Sequence, residues 1–299
     1  MRHCIPISHG NFSGQETLKT LTKAPISESV GLPIKVSLAR GRANRNANIW
    51  EQVSDKNLSG AAMNGACLDH VDLSSSDLSL ADLSEAEIVE TRLTGASLKK
   101  ALLLGATLAV TNAEKADFSF ARLMDARIRQ CRFCGSNFAQ AAFHMAHLDE
   151  CNFTDADFSG AEFINARIRL SRFHGASFCG AQLTGATFTG CNFTKTVFRR
   201  SRCNRAHFSS CVLDRADFTE ADLRDADLTG ADLGGALLRQ ARLGGTRLFA
   251  ADLRGADLTG ARELTGPQLL QARTDANTIL PNGKAGPFRR NSGAERPQS

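Results

Sequence analysis

Residues 119–178 read SFARLMDARIRQCRFCGSNFAQAAFHMAHLDECNFTDADFSGAEFINARIRLSRFHGASF. An apolar residue recurs at every fifth position without a miss: Leu123, Ile128, Phe133, Phe138, Phe143, Leu148, Phe153, Phe158, Phe163, Ile168, Phe173, Phe178. Two residues before each stands a small one, among them Ala121, Ala126, Cys131, Ser136, Ala141, Ala146, Cys151 and Ala156. A helix repeats near 3.6 residues and a strand at 2, so neither accounts for a period of five. A chain that turns a corner every five residues does, and a fixed repeat decides the architecture before any single motif is weighed.

Outward from this stretch the period runs from Leu58 to Leu258, with Leu or Phe at most central sites and Met63, Ala113, Cys203 and isoleucines such as Ile88 as exceptions. The fullest unit is A-D-L-x-G, as in Ala226-Asp227-Leu228-Thr229-Gly230 and Ala256-Asp257-Leu258-Thr259-Gly260. About forty such units in register closely resemble the pentapeptide-repeat family over about two thirds of the chain. The resemblance implies an all-β solenoid, a right-handed quadrilateral β-helix with four units per coil, closed by short helical caps.

The square has independent support. If four units make a turn, residues twenty apart stack, and such columns share chemistry. Phe118, Phe138, Phe158, Phe178, Phe198 and Phe218 form one column, the expected core ladder; Phe133, Phe153, Phe173 and Phe193 form its neighbour. Three columns of small residues are mostly Ala; the fourth reads Val71, Thr91, Thr111, Cys131, Cys151, Ser171, Cys191, Cys211, Ala231, Ala251. At an inter-strand spacing of about 4.8 Å, about ten coils give a rod on the order of 50 Å.

The chain divides into a disordered leader (1–45), a cap helix (46–57) carrying the lone Trp50, the repeats (58–262), a C-terminal cap (263–281) and a disordered basic tail (282–299). A cap is expected because a solenoid's first coil otherwise leaves strand edges open. At Arg262 the register slips by one, and Thr265-Gly266-Pro267 opens a helix expected to run through Arg273. The leader has no acidic residue before Glu16 and resembles the secretion signals of bacterial effectors. Two locations follow: a bacterial cytoplasm, or delivery into a host cell without a classical signal peptide. Nine cysteines without small-domain spacing suit reduced thiols. No apolar run approaches the roughly 18 residues of a membrane span.

Net charge is +5, yet Leu58–Arg262 holds 23 Lys and Arg against 24 Asp and Glu, so the excess lies in the flanks. That balance makes nucleic acid an unlikely partner. Some pentapeptide-repeat proteins imitate duplex DNA and occupy type II topoisomerases, giving quinolone resistance; this remains the alternative function, against which the near-neutral repeats count.

Chemistry-bearing residues give no catalytic, metal or cofactor site. Cys131-x-x-Cys134 fails as a metal pair because the repeat sends Cys131 inward and Cys134 outward, and no second pair completes a tetrahedral set. His70, His144, His147, His174 and His207 all take outward positions. One surface feature is organised. Arg127, Arg129 and Arg132 recur as Arg167, Arg169 and Arg172 two coils on, with His147 between, while Asp77, Asp117, Asp157, Asp217 and Asp257 form an acidic column elsewhere. Paired arginine rows match carboxylates or phosphates bidentately. The reading is a non-enzymatic protein-interaction scaffold whose partner is a protein not identified by the sequence. A homodimer through the C-terminal coils is a further possibility, with Leu264, Leu269 and Leu270 able to serve either that contact or an intramolecular lid.

Overall fold

The computed structural model describes residues 37–38, 51–290 and 292–297. Bridge partners in neighbouring coils lie twenty residues apart along most of it. From Asn57 the bridges run parallel through Asp77, Ser97, Asp117, Asn137, Asp157, Ser177, Val197, Asp217 and Leu237 to Asp257, a column of ten twenty-residue steps. Four such columns make the four sides of a parallel β-solenoid.

Two observations explain why this sequence closes a square. The central residue and the small residue before it are buried along the rod, while the intervening positions face out. At each corner the fifth residue takes a left-handed backbone, from Asp55 (φ 56°) to Gly260 (φ 68°). Glycine supplies that conformation cheaply, and Asn and Asp tolerate it. Asp or Asn one place before the central residue completes the corner by accepting the backbone N–H two places ahead: Asp77 from Ser79 (2.9 Å), Asp157 from Ser159 (2.9 Å), Asp257 from Thr259 (2.9 Å). The A-D-L-x-G consensus is therefore a corner written out: filler, cap, core, turn.

The interior is dry. Along the expected ladder the Phe rings stack at 4.7, 5.0, 4.8, 5.1 and 4.6 Å from Phe118 to Phe218, with planes within 15° of parallel. The neighbouring column stacks at 5.0, 5.0 and 4.8 Å from Phe133 to Phe193. Between the columns the rings meet edge to face, as in Phe133–Phe138 (5.3 Å, 71°). Both arrangements suit the aromatic quadrupole, each worth about 0.5–1.5 kcal/mol beyond area burial.

One side is flatter than the rest. Its three-residue strands are β3 (Cys67–Asp69), β5 (Glu87–Val89), β6 (Thr107–Ala109), β7 (Arg127–Arg129), β8 (His147–Asp149), β9 (Arg167–Arg169) and β10 (Thr187–Thr189). They pair in that order, headed by β1 (Ser37–Leu38); on the next side β2 (Glu51–Gln52) pairs with β4 (Val71–Asp72). At ordinary corners the small residue's N–H donates to the central carbonyl three places back, as Ala86 does to Leu83 (3.0 Å). After the strands the donor is a side chain. Thr91 Oγ1 donates to Leu68 O (2.9 Å) and Val89 O (3.0 Å), Thr111 Oγ1 to Ile88 O (3.1 Å), Cys151 Sγ to Ile128 O (3.6 Å) and Cys191 Sγ to Ile168 O (3.7 Å). The Thr/Cys/Ser column thus lines a wider corner. From Cys211, whose N–H bonds Phe208 O (3.1 Å), the corner reverts and the strands cease.

The ends depart from the sequence reading. Residues 51–52 are strand, not the close of a cap helix over 46–57, and Val53 is buried at a core site, so the repeat begins before Leu58. The five-residue register carries back from Leu58 to Val53 and outweighs the short amphipathic pattern. Within the leader read as disordered (1–45), Ser37–Leu38 pairs with Cys67–Leu68; the remainder of 1–45, with residues 46–50 and Trp50, lies outside the described residues.

At the far end helix α1 (Gly266–Gln271) is capped by Thr265 in a reciprocal box with Gln268 and stops two residues short of Arg273. Gln268 Nε2 donates to Leu243 O and Thr246 O (both 2.9 Å), and Leu264 and Leu269 are buried. The tail read as disordered over 282–299 folds back through residue 297. Ile279 bridges Ala285 antiparallel, Leu280 N–H donates to Lys284 O (2.9 Å), Phe288 packs on the core and Ala294 is buried. Composition marked this segment as polar; two apolar residues suffice to seat it because the last coil offers an uncovered core. The two leucines act in an intramolecular lid, and an end-on homodimer would have to displace it.

Candidate functional site

The flat side carries the arginine rows. Register pairs Arg127 with His147 and His147 with Arg167, and Arg129 with Asp149 and Asp149 with Arg169. Around the next corner Arg132, Asn152 and Arg172 form the adjoining column. All six arginines and His147 are exposed, each strand anchored by its buried middle residue, Ile128, Leu148 or Ile168. The sequence-expected cluster is assembled on one face, three coils tall.

Its charge is not uniform. Asp149 stands between Arg129 and Arg169, and lies 4.0 Å from the Arg169 Nε. Arg132 pairs with Glu114 one coil below (2.6 Å). Among the described residues Arg127, Arg129, Arg167 and Arg172 have no ion pair. The available positive charge is therefore that of Arg127, Arg129, Arg167 and Arg172, not of all six arginines.

The expected acidic column also stacks as one ladder, but its carboxylates are already engaged. Lys99 pairs with Asp117 (3.5 Å), Arg199 with Asp217 (2.5 Å) and Arg239 with Asp257 (2.6 Å). Burial pushes the Asp217 carboxyl up, but the Thr219 hydroxyl and N–H and the Arg199 guanidinium outweigh it and hold it below the usual range. These aspartates build corners first.

Sequence reading missed part of the basic surface. Residues 122–213 carry 12 Lys and Arg against 6 Asp and Glu, and from Phe163 to Leu213 there is no acidic residue at all. Lys195, Arg199, Arg200, Arg202 and Arg205 extend the basic middle toward the C-terminus, though Arg199 is tied to Asp217 (2.5 Å) and Arg200 to Glu220 (2.9 Å). Residues 58–121 hold 4 basic and 9 acidic residues, so the rod is acidic at its start and basic in its middle. The signal was the acid-free run; averaging charge over the whole repeat region hid it.

Cys131 lies in the core and Cys134 half-exposed outside it, so the pair does not converge. Among the described residues no three His, Cys, Asp or Glu gather to hold a metal. Burial pushes the Cys191 and Cys203 thiols up to about 12 and Cys211 to about 11, which makes them poor nucleophiles. His70 sits between Asp69 (2.6 Å) and Glu90 (2.8 Å), and His144 against Glu162 (2.5 Å). Among the described residues no helix is long and apolar enough to cross a membrane.

Two family models match: a pentapeptide repeat region over residues 171–249, and pentapeptide repeats (8 copies) over four overlapping segments from 57 to 175. Together they span 57–249, and the chain belongs to the pentapeptide-repeat family. No curated protein matches it. Among solved structures it is similar to HetL, a pentapeptide repeat protein involved in heterocyst differentiation regulation in the cyanobacterium Nostoc (25% identity, 79% of this chain and 91% of that one, TM-score 0.36). It is similar also to QnrB1, a plasmid-mediated fluoroquinolone resistance protein (24% identity, 59% and 82%, TM-score 0.29). A third is a pentapeptide repeat protein of the Arabidopsis thaliana thylakoid lumen (27% identity, 36% and 68%, TM-score 0.19).

Proposed function

We propose that this chain is a non-catalytic protein-interaction scaffold whose basic middle docks an acidic segment of a partner protein. The observation that carries the reading is the Arg127–His147–Arg167 column, held in register on the flattest side, with no carboxylate paired to either arginine among the described residues. At about 4.8 Å per coil the two guanidinium groups are based about 10 Å apart, the length of about three residues of an extended acidic peptide. Exposed guanidinium groups give charge-assisted, forked contacts to carboxylates, and the flat side admits an extended chain without a groove. Imitation of duplex DNA would call for continuous negative charge, whereas residues 122–213 are net positive. The family's solenoid offers a long rigid exterior and a core without reactive groups in reach of solvent, which suits contact better than catalysis.

The test is fluorescence anisotropy with a labelled octaglutamate peptide at low and physiological salt. Wild type should bind with affinity that falls as salt rises; the R127E/R167E variant should lose tenfold or more. An R254E variant, altered at an arginine already paired with Asp252, should bind as wild type does. Equal binding by wild type and R127E/R167E would retire this face.

A further inference from the structure

A different side of the rod breaks the repeat's own rule. The place one before the central residue is polar in most coils, yet in the bridged column that runs from Ala62 to Arg262 the first five members, Ala62, Asp82, Leu102, Arg122 and Ala142, centre on a leucine. Beside Leu102, the corner residues Leu80 and Phe120 are 59% and 52% exposed, and Leu104 is half-buried on the other flank. This apolar surface has no covering among the described residues. Asp82 and Arg122 border it one coil below and one above. Among the described residues neither has an ion pair, and Asp82 accepts the Ser84 N–H (3.0 Å).

The order of this column is the clue. Turned end for end about Leu102 it becomes its own complement: Leu102 meets Leu102, Asp82 meets Arg122, and Ala62 meets Ala142. One flanking corner column behaves likewise, because Leu80 then faces Phe120, while the other brings the exposed Glu85 and Asp125 opposite each other at the rim. That is the pattern of an isologous interface, in which one patch serves both copies. We propose that two copies of the chain dock antiparallel through this side, with the two-fold axis passing at Leu102 across the rods. The leucines and Phe120 supply the apolar centre, and two symmetry-related Asp82–Arg122 pairs set the register. Lys100 faces its own copy across the axis, and its long stem lets the ammonium turn out to water. Five coils by one side is a small contact, so the dimer is weak and concentration-dependent.

Sedimentation velocity on the full chain, from micromolar to several hundred micromolar, reads the equilibrium. Wild type should shift toward dimer with concentration. L102D, which restores the residue type usual at that place and so keeps the fold, should sediment as monomer throughout. D82R and R122D should each weaken the dimer tenfold or more, and the double variant D82R/R122D should recover it because the pair is re-formed with its signs exchanged. Circular dichroism confirms that each variant is folded, and L102C should cross-link to itself under oxidant, since that residue lies on the axis. A wild type that stays monomeric, a dimer indifferent to L102D, or a double variant no better than its singles would overturn the proposal.

Discussion

At the scale of single residues, aspartate does more than decorate the surface. Asp222 and Asp252 each accept the backbone N–H two places on and grip the arginine found there: Arg224 holds the Asp222 carboxyl, and Arg254 the Asp252 carboxyl, below the ordinary carboxylate range. A carboxyl whose native value is depressed binds fewer protons folded than unfolded. Its stabilisation is therefore complete above the unfolded value of about 4 and is lost as pH falls through the lower native value. Urea midpoints should be level from neutral pH down to about pH 4 and drop below it, and D222N/D252N should show a shallower drop. A midpoint that rose on acidification would refute this role. These aspartates were legible in sequence as part of the A-D-L-x-G unit, but their use was not, since a carboxylate facing out reads equally as solvation. Val110 shows the opposite limit: a β-branched residue at a corner with φ 53° follows no turn rule, and nothing in the structure explains it.

At the scale of the element, the corner is the unit that varies. The column Thr91, Thr111, Cys131, Cys151, Ser171, Cys191, Cys211 stood out in sequence as one side with larger fillers. Why it did so became plain only in three dimensions, where hydroxyls and thiols donate to carbonyls at a wider corner. Thr111→Val keeps the shape and removes both of its bonds, to Ile88 O and Ala109 O (3.1 and 3.2 Å). Ala109 O keeps the Glu90 N–H (2.9 Å), so the loss falls on the buried bond to Ile88 O and should cost about 1 kcal/mol of unfolding free energy by denaturant titration. An unchanged midpoint would show that the hydroxyl is only filler. The terminal elements were the least legible, because caps lack the repeat that disclosed everything between them. Thr265-Gly266-Pro267 announced α1 through local turn chemistry, whereas the tail from Pro281 onward is seated by Phe288 and Ala294, which no periodicity marks.

At the scale of the whole molecule, the period of five fixes the corners and the period of twenty fixes which residues become neighbours. The core ladder and the arginine rows were both readable from that second period. What sequence spacing left open was which arginines have a carboxylate beside them. Asp149 and Glu114 lie in adjacent coils, twenty or eighteen residues away, and change which guanidinium groups stay available. The charge division between residues 58–121 and 122–213 likewise needed the coil as its unit of counting. Every surface assignment, the basic side and the self-complementary side alike, depends on coils stacking at twenty-residue intervals. The most direct check is cross-linking of outward cysteines at Thr187 and His207, which bridge in adjacent coils on one side. T187C/H207C should close a disulfide under mild oxidation, since neighbouring strands bring α-carbons within the 4.4–6.8 Å that such a bond needs. T187C/N192C, five residues apart but around a corner, should not. Closure in the second variant and not in the first would contradict the twenty-residue coil and every column built on it.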